Sequence, residues 1–189
     1  MRKIHALRKI LQFQLNTTLS FGHATLLSLR HRRREALPII QKGPLRKWAH
    51  QWQSLFDFDI EILGELPPEG TKHVVVSNHM SYMDGIVAPQ VLPTGWLARH
   101  EVSWVPILGW GAMLAGVHPV NRRDQASKEK GKALMRQRYE DGQTMWIFAE
   151  GTTSDGTDVL PFKKFAFEFG MDILPCAFKY HTPSGFNPA

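Results

Sequence analysis

Two short apolar runs in this chain lead directly into polar side chains that can do acid–base or anion-binding chemistry. The run 74–76 (Val-Val-Val) is followed by 77–84, which reads Ser-Asn-His-Met-Ser-Tyr-Met-Asp. The run 146–148 (Trp-Ile-Phe) is followed by Ala-Glu-Gly-Thr-Thr-Ser-Asp-Gly. Both runs are typical of buried strands. Because open α/β sheets carry their chemistry where strands end, these two segments form the candidate site.

His79 and Asp84 lie five positions apart, with Asp84 about one turn into the helix predicted to follow the first strand. At that distance the carboxylate can accept a hydrogen bond from the imidazole. A neutral histidine held in this way is suited to act as a general base, and the carboxylate orients the ring and stabilises the imidazolium. The alternative is a histidine that only caps a turn, since the chain has nine histidines and this spacing can arise by chance.

The second segment offers groups that bind anions. Backbone N–H groups at 150–152, the Thr152 hydroxyl and the Arg122 guanidinium can form a charge-assisted cluster around a phosphate. The chain has no Gly-x-Ser-x-Gly elbow, and Cys176 lies in an apolar strand where a lone thiol is usually inert. It also lacks zinc-ligand spacing, a dinucleotide fingerprint and a Walker loop, so we expect neither a metal nor a nucleotide cofactor.

These segments need a scaffold that brings strand ends together, and residues 57–189 have the pattern of one. Apolar runs predict strands at 58–63, 73–77, 95–99, 117–121, 144–149 and 172–179. Helical windows are predicted at 82–92, 104–115, 125–141 and 162–169, the third beginning at an Asp124 cap and ending at Gly142. The alternation predicts an α/β fold with a mostly parallel central sheet flanked by helices.

Composition restricts the protein class. A chain of 189 residues with 43% apolar and 21% charged side chains is long enough to bury a core as a globular protein. No stretch approaches the roughly 18 uninterrupted apolar residues of a membrane span, and the start lacks a signal-peptide pattern. The single cysteine cannot form an intrachain disulfide, which favours a reducing cytoplasm.

Basic residues are concentrated at the N-terminus, where 1–50 contain 11 Lys or Arg and one acid. Two apolar stripes occur there at helical spacing, separated by predicted breaks at 30–38 and 42–44. The first stripe comprises Ile4, Leu7, Leu11, Leu15, Leu19, Leu26 and Leu29. The second comprises Leu45, Trp48, Trp52, Leu55 and Phe56. Both stripes predict amphipathic helices.

We interpret residues 1–56 as a basic amphipathic helical segment that docks on an anionic membrane surface, and 57–189 as the α/β domain. Trp48 and Trp52 would then lie at the membrane interface. The equally weighted alternative is that both stripes pack against the domain and the arginines form a solvated turn. Nucleic-acid binding is less favoured, because no helix-turn-helix, RNP-like or zinc-finger pattern accompanies the charge.

Four ordered segments within 58–180 resemble the glycerolipid acyltransferases of the lysophosphatidic acid acyltransferase type. Residues 78–84 resemble the family's NHxxxxD box, in which the histidine is the base and the aspartate its partner. The stretch from Val105 to Arg122 is similar to the second block, whose closing arginine contacts the acceptor phosphate. Residues 149–154 and 173–178 resemble the third block, EGT(T/R)S, and the fourth, a proline-containing strand.

The resemblance implies an acyltransferase that moves a fatty acyl group from acyl-CoA or acyl-carrier protein to the free hydroxyl of 1-acylglycerol-3-phosphate, giving phosphatidic acid in phospholipid biosynthesis. It implies catalysis by His79 and Asp84 without a cofactor, in a peripheral protein at the cytoplasmic face of the inner membrane. The implied substrate-binding residues are Arg122, Glu150, Gly151, Thr152 and Thr153.

Two residues depart from the family pattern. Ala149 replaces the usual proline, and Thr153 stands where many members have arginine, which removes a cation from the implied phosphate pocket. The alternative enzyme is therefore an O-acyltransferase for a lysolipid without that phosphate, such as lyso-ornithine lipid. The alternative of another class is a catalytically silent, membrane-associated lipid-binding protein. Since relatives generally continue beyond the fourth block, we expect a short member or a fragment.

Overall fold

The structure is a computed structural model that describes residues 2–105, 107–168 and 170–181, with side chains described from residue 7 and not at 166. The helices are α1 (Arg2–Arg30), α2 (Arg33–Ile40), a π-helix (Gln41–Leu45), α3 (Arg46–Phe56), α4 (Asp84–Val91), α5 (Leu108–Leu114) and α6 (Gln125–Glu140), with 3₁₀ turns at His100–Trp104 and Lys164–Phe167. The strands are β1 (Val74–Ser77), β2 (Gly95–Arg99), β3 (His118–Val120), β4 (Met145–Phe148) and β5 (Ile173–Cys176).

Within the described residues, five strands form one sheet in the order β3-β2-β4-β1-β5, and every pairing is parallel. Helices cover both faces, as the valine run of β1 requires. Val75 and Trp146 pack with Ala88 of α4 on one face. Val74 packs with Met135 of α6 on the other. The predicted α/β fold with a parallel sheet is confirmed.

Some predicted elements are wrong or shorter. The predicted strand at 58–63 is absent, and that segment is irregular. Its apolar side chains are not fully buried, since Phe58 and Ile60 are half-buried and Ile62 is 48% exposed. The predicted helix at 162–169 is only a 3₁₀ turn. Of the helix predicted at 104–115, the structure forms the short α5, and residue 104 ends the preceding 3₁₀ turn. Periodicity alone does not supply the neighbouring strand or the helix length that these elements need.

The N-terminal segment is more continuous than its prolines suggest. The helical conformation is interrupted at residues 31 and 32. After this interruption, α2, the π-helix and α3 follow one another directly. Pro38 lies inside α2 and Pro44 inside the π-helix, so the breaks predicted at these prolines are wrong. A π-helical turn is wider than an α-turn. Such a turn lets the helix continue although proline has no backbone N–H to donate.

The two apolar stripes of this segment have different environments. In the second stripe Leu45 and Trp48 pack internally, whereas Phe56 is 55% exposed. The indole Nε1 of Trp48 donates a hydrogen bond to Thr17 Oγ1 at 3.1 Å. The interface position expected for Trp48 is therefore wrong. The first stripe points outward, with exposed fractions from 56% to 81% at Leu7, Leu11, Leu15, Leu19, Leu26 and Leu29.

The inner face of α1 is correspondingly built from aromatic, small and hydroxyl side chains. Phe13 meets Trp52 edge to face at 4.7 Å between ring centroids, and Phe21 packs with Trp48. Thr17 is buried against Trp48, and Ala24 is buried in a cluster with residues of α2. In the described residues, no helix is both long and apolar enough to span a bilayer.

Gly111 sets the approach of α1 to α5. A Cβ atom at this position would overlap the ring of Phe21, which is 5% exposed. The absence of a side chain at residue 111 therefore allows the two helices to pack closely.

Gly111→Ala should lower the free energy of unfolding by about 1–3 kcal/mol, because the added methyl group must displace a buried ring. Gly22→Ala is the matched control: Gly22 is an exposed helical glycine with open space around it, so alanine there should raise stability by about 0.5–1 kcal/mol. Urea unfolding followed by circular dichroism measures both. Equal changes for the two variants would contradict this packing.

Candidate active site

The register of the sheet brings the two polar segments together. Strands β1 and β4 are parallel neighbours with Ser77 opposite Phe148, so the residues that follow them leave the same edge. The backbone N–H of His79 donates to Glu150 Oε1 at 3.1 Å, and the N–H of Ser154 donates to the His79 carbonyl at 2.9 Å. The predicted juxtaposition of the two strand ends is confirmed.

His79 and Asp84 form the hydrogen bond that their spacing predicted, with 2.7 Å between imidazole Nδ1 and carboxylate Oδ2. Asp84 is the first residue of α4 and is fully buried, whereas the His79 side chain is 18% exposed. Because an ionised carboxylate only accepts, Nδ1 carries the hydrogen, and the unprotonated Nε2 can accept a proton. This is the arrangement of a general base with its orienting partner.

An aromatic ring stacks on one face of the imidazole, a feature that sequence reasoning missed. The Phe148 ring lies parallel to His79 with 4.4 Å between centroids and 23° between planes. Behind it, the buried indole Nε1 of Trp146 donates to Ser77 Oγ at 2.8 Å. The ring at the last position of β4 therefore limits rotation of the imidazole. The signal in the sequence was an aromatic residue one position before the polar segment.

Glu150 is turned into the protein. It is 2% exposed, Oε1 accepts the His79 N–H, and Oε2 has no hydrogen-bond partner among the described residues. Gly151 adopts φ +73°, a conformation that favours glycine, and its N–H donates to the Phe148 carbonyl at 3.0 Å. That N–H is therefore engaged in the turn. Thr152 is exposed and Thr153 is half-buried. The substrate contacts expected for these two residues stay predictions.

Arg122, which follows β3, reaches this turn and donates a hydrogen bond to the Gly151 carbonyl. Burial, and to a lesser extent the charge of Arg99, lower the pKa of Arg122 below its ordinary value. Arg99, Arg122 and Arg123 line a cavity of about 470 Å³ at the carboxyl ends of β2 and β3. Glu101 also lines this cavity and pairs with Arg99 at 3.4 Å. Three guanidinium groups beside one carboxylate leave a net positive charge, which favours an anion there.

Sequence reasoning identified Arg122 but missed Arg99 and Arg123. Arg99 is the last residue of β2, and the order of the sheet places that strand beside β3, which precedes Arg122. The signal was present as a basic residue at a predicted strand end. Its relevance depends on strand order, which a single sequence does not display.

The sequence model of the Acyltransferase family matches residues 59–179, which include all of these positions. The chain belongs to this acyltransferase family. Two curated relatives show its range. A 1-acyl-sn-glycerol-3-phosphate acyltransferase of Neisseria gonorrhoeae is 28% identical over 70% of this chain and 54% of its own. A lyso-ornithine lipid O-acyltransferase of Brucella abortus is 38% identical over 60% of this chain and 42% of its own.

A solved structure supports the fold of the acyltransferase domain. The crystal structure of the 1-acyl-sn-glycerophosphate acyltransferase PlsC from Thermotoga maritima matches with a TM-score of 0.66 and 24% identity, over 93% of this chain and 75% of that one. The chain spans about half the length of the first curated relatives it matches.

Proposed function

We propose that this acyltransferase moves a fatty acyl group from acyl-CoA or acyl-carrier protein to the free hydroxyl of 1-acylglycerol-3-phosphate, giving phosphatidic acid. The observation that carries the proposal is the hydrogen-bonded pair of His79 and Asp84, which lies beside an arginine-lined cavity. A base and an anion site at one sheet edge are what an alcohol acceptor with a phosphate group requires.

The chemistry follows from the free Nε2 of His79. As the acceptor hydroxyl oxygen attacks the thioester carbonyl, Nε2 takes the hydroxyl proton and Asp84 stabilises the imidazolium. The C–O bond forms, the C–S bond breaks, and the departing thiolate recovers the proton from His79. Neither a covalent acyl-enzyme nor a cofactor is needed for this step, since the donor thioester is already activated.

The acceptor phosphate is assigned to the cavity of Arg122, Arg99 and Arg123. Arg122 connects this cavity to the turn after β4 through its hydrogen bond to Gly151, and Glu150 of the same turn accepts the backbone N–H of His79. A guanidinium can bind phosphate through two parallel hydrogen bonds, which lysine cannot reproduce. We assign Gly151, Thr152 and Thr153 to the wall between the base and the bound headgroup, and we assign Glu150 to support of the His79 backbone from inside the protein.

Lyso-ornithine lipid is the alternative acceptor, and two observations favour it. Residue 153 is a threonine, so this segment adds no cation to the site, and lyso-ornithine lipid O-acyltransferases are among the relatives. The arginine cavity favours the phosphate-bearing acceptor. A silent lipid-binding protein is less well supported, because such a protein needs no buried carboxylate on its histidine.

We further propose that α1 docks on an anionic membrane surface as a peripheral element, at the cytoplasmic face of the inner membrane. Its outward leucines form an exposed apolar stripe, and residues 1–50 carry 11 basic side chains. Apolar insertion and attraction of about 1 kcal/mol per engaged cation favour such binding. Phe21 of α1 belongs to a buried cluster against which Ile86 packs, and Ile86 is two residues from Asp84, so α1 lies near the site. The acceptor chain can then stay in the bilayer.

His79→Ala should reduce acyl transfer by about 10³-fold or more while leaving the fold intact, because the imidazole acts in the transition state. Wild type and variant are incubated with labelled acyl-CoA and a panel that contains lysophosphatidic acid, lyso-ornithine lipid and a neutral lysolipid. Wild-type turnover of lysophosphatidic acid supports the main proposal, and turnover of lyso-ornithine lipid alone supports the alternative. Full turnover by a folded His79→Ala protein would rule out this mechanism.

Arg122→Ala should raise the KM for lysophosphatidic acid by about 10- to 100-fold, the loss expected for a charge-assisted hydrogen bond. Arg122→Lys should recover only part of that loss. The neutral lysolipid, measured with the same variants, is the control, and its KM should change little even if the Gly151 turn shifts. Equal changes for both acceptors would exclude phosphate recognition by Arg122.

Replacing Leu15 and Leu19 together by serine should weaken binding to anionic vesicles at least about tenfold, since each buried leucine contributes about 1.5–3 kcal/mol. The matched control replaces Leu63 and Leu66 by serine, which are exposed leucines outside α1. Flotation at low and high salt measures binding, and salt should remove part of it in the wild type. If both double variants float equally well, the stripe does not contact the membrane.

A further inference from the structure

Asp84 accepts hydrogen bonds on both carboxylate oxygens. Oδ2 receives the His79 Nδ1–H at 2.7 Å and the backbone N–H groups of Met80 and Ser81 at 2.8 and 3.1 Å. Oδ1 receives the hydroxyl of Tyr180. The carboxylate is fully buried, so protein groups rather than bulk water must satisfy these oxygens. The phenol lies on the side of the carboxylate away from the histidine bond.

Tyr180 reaches Asp84 because the chain beyond β5 is tethered to the residue before His79. The side-chain amide of Asn78 donates to the Phe178 carbonyl at 3.0 Å, and its oxygen accepts the Phe178 N–H at 2.8 Å. The Phe178 ring packs against Trp146 at 5.5 Å between centroids. These contacts fix the backbone two residues before Tyr180. They thereby place the phenol hydroxyl within hydrogen-bond distance of the Asp84 carboxylate.

We propose that Tyr180 is a positioning residue for the catalytic pair: its hydroxyl holds the Asp84 carboxylate in the orientation that His79 needs and withdraws part of its negative charge. The inference rests on the proposed acyl transfer by His79. A neutral donor suits this task. It orders the carboxylate without placing a second positive charge beside the imidazolium that forms on His79. Burial, together with the charge of Asp84, raises the pKa of Tyr180, so the phenol keeps its proton.

Other charged groups lie at the same edge of the sheet and stay unchanged in the tests below. Glu150, after β4, contacts the backbone of His79, and Arg122, after β3, contacts Gly151. The side chain of Lys163 lies beside Gly151. A change that follows removal of the phenol hydroxyl can therefore be assigned to the Tyr180–Asp84 bond rather than to these charges.

Tyr180→Phe should lower kcat about tenfold with little change in either KM, because the ring is kept but the hydrogen bond that orients the Asp84 carboxylate for His79 is lost, and this loss of orientation outweighs the stronger charge of the carboxylate. The acid limb of the pH–rate profile should move to higher pH. The reason is that a carboxylate with one donor fewer stabilises the imidazolium more strongly, and the base must be neutral to work. An unchanged kcat and acid limb would overturn the proposal.

Tyr139→Phe is the matched control. The Tyr139 hydroxyl likewise contacts an aspartate, because it accepts the backbone N–H of Asp172 at 3.1 Å. Asp172 directly precedes β5, whereas Tyr180 follows the other end of this strand. Its removal should leave kcat and the pH profile unchanged. Tyr180→Phe in an Asp84→Asn background gives the double-mutant cycle, in which the effect of the phenol should largely disappear. An equal effect in both backgrounds would show that Tyr180 acts independently of Asp84.

Fluorination of Tyr180 keeps the hydroxyl and should shift the acid limb of the pH–rate profile in the opposite direction. The chain has three tyrosines, so Tyr82→Phe with Tyr139→Phe leaves Tyr180 alone for labelling with 3-fluorotyrosine. The more acidic phenol is a stronger donor and should move the acid limb to lower pH. A shift to higher pH, or none, would overturn the proposal, and this measurement stands even if Tyr180→Phe fails to fold.

The NMR titration of the His79 imidazole needs no substrate. Its midpoint should move to higher pH in Tyr180→Phe and to lower pH in the fluorinated protein. Failure of the wild type to acylate any lysolipid would refute the proposed function and leave this titration informative. Unchanged midpoints in an active enzyme would refute the positioning role alone.

Discussion

A buried carboxylate must have hydrogen-bond donors, and much of the architecture at the carboxyl edge of this sheet satisfies that need for Asp84. Its position at the first turn of α4 places it at the positive end of a helix. The turn between β1 and α4 directs two backbone N–H groups and the His79 imidazole at one oxygen. The histidine is thereby fixed in the tautomer that leaves Nε2 free. The turn that supplies hydrogen bonds to the buried carboxylate therefore also orients His79 as a general base.

The parallel sheet gathers the other parts of the site. Because β4 is inserted between β1 and β2, residues more than seventy positions apart leave the same edge, and Glu150 can accept the His79 N–H. The neighbouring pair of β2 and β3 brings Arg99 and Arg122 to one cavity. Crossover helices α4 and α6 cover opposite faces, so the edge remains open for a substrate while the strands stay buried.

The N-terminal helix reverses the usual arrangement of a globular surface helix. Thr17, Ser20 and Ala24 face inward, and leucines face outward. Small and hydroxyl residues permit close approach of α1 to α3 and α5, as at Gly111 against Phe21. A stripe of leucines on the outside is costly in water and favourable in lipid, so this inversion connects the packing of α1 with the proposed docking of the protein.

Several features were determined by the sequence itself, because they depend on local pattern. The valine run of β1 and the run 95–99 of β2 read directly as strands, and Asp124 caps α6 as predicted, accepting the Ala126 N–H at 3.0 Å. The spacing of His79 and Asp84 predicted their hydrogen bond because the contact is made within one turn. The order of four segments indicated the family, because each segment is a local pattern of residue types that can be read without knowing the fold.

Tertiary structure decided the features that depend on which elements become neighbours. Alternation at 58–63 predicted a strand, but no strand forms at that position. The two N-terminal stripes look alike in sequence, and only the docking of α3 onto α1 buries Trp48 and leaves Leu15 and Leu19 exposed. Tyr180 belongs to no motif with Asp84, because the two residues meet only when β5 pairs with β1 and Asn78 tethers the chain beyond it. Contacts between residues so distant in the chain depend on strand order and helix packing, which are set by burial summed over the whole domain rather than by any local pattern.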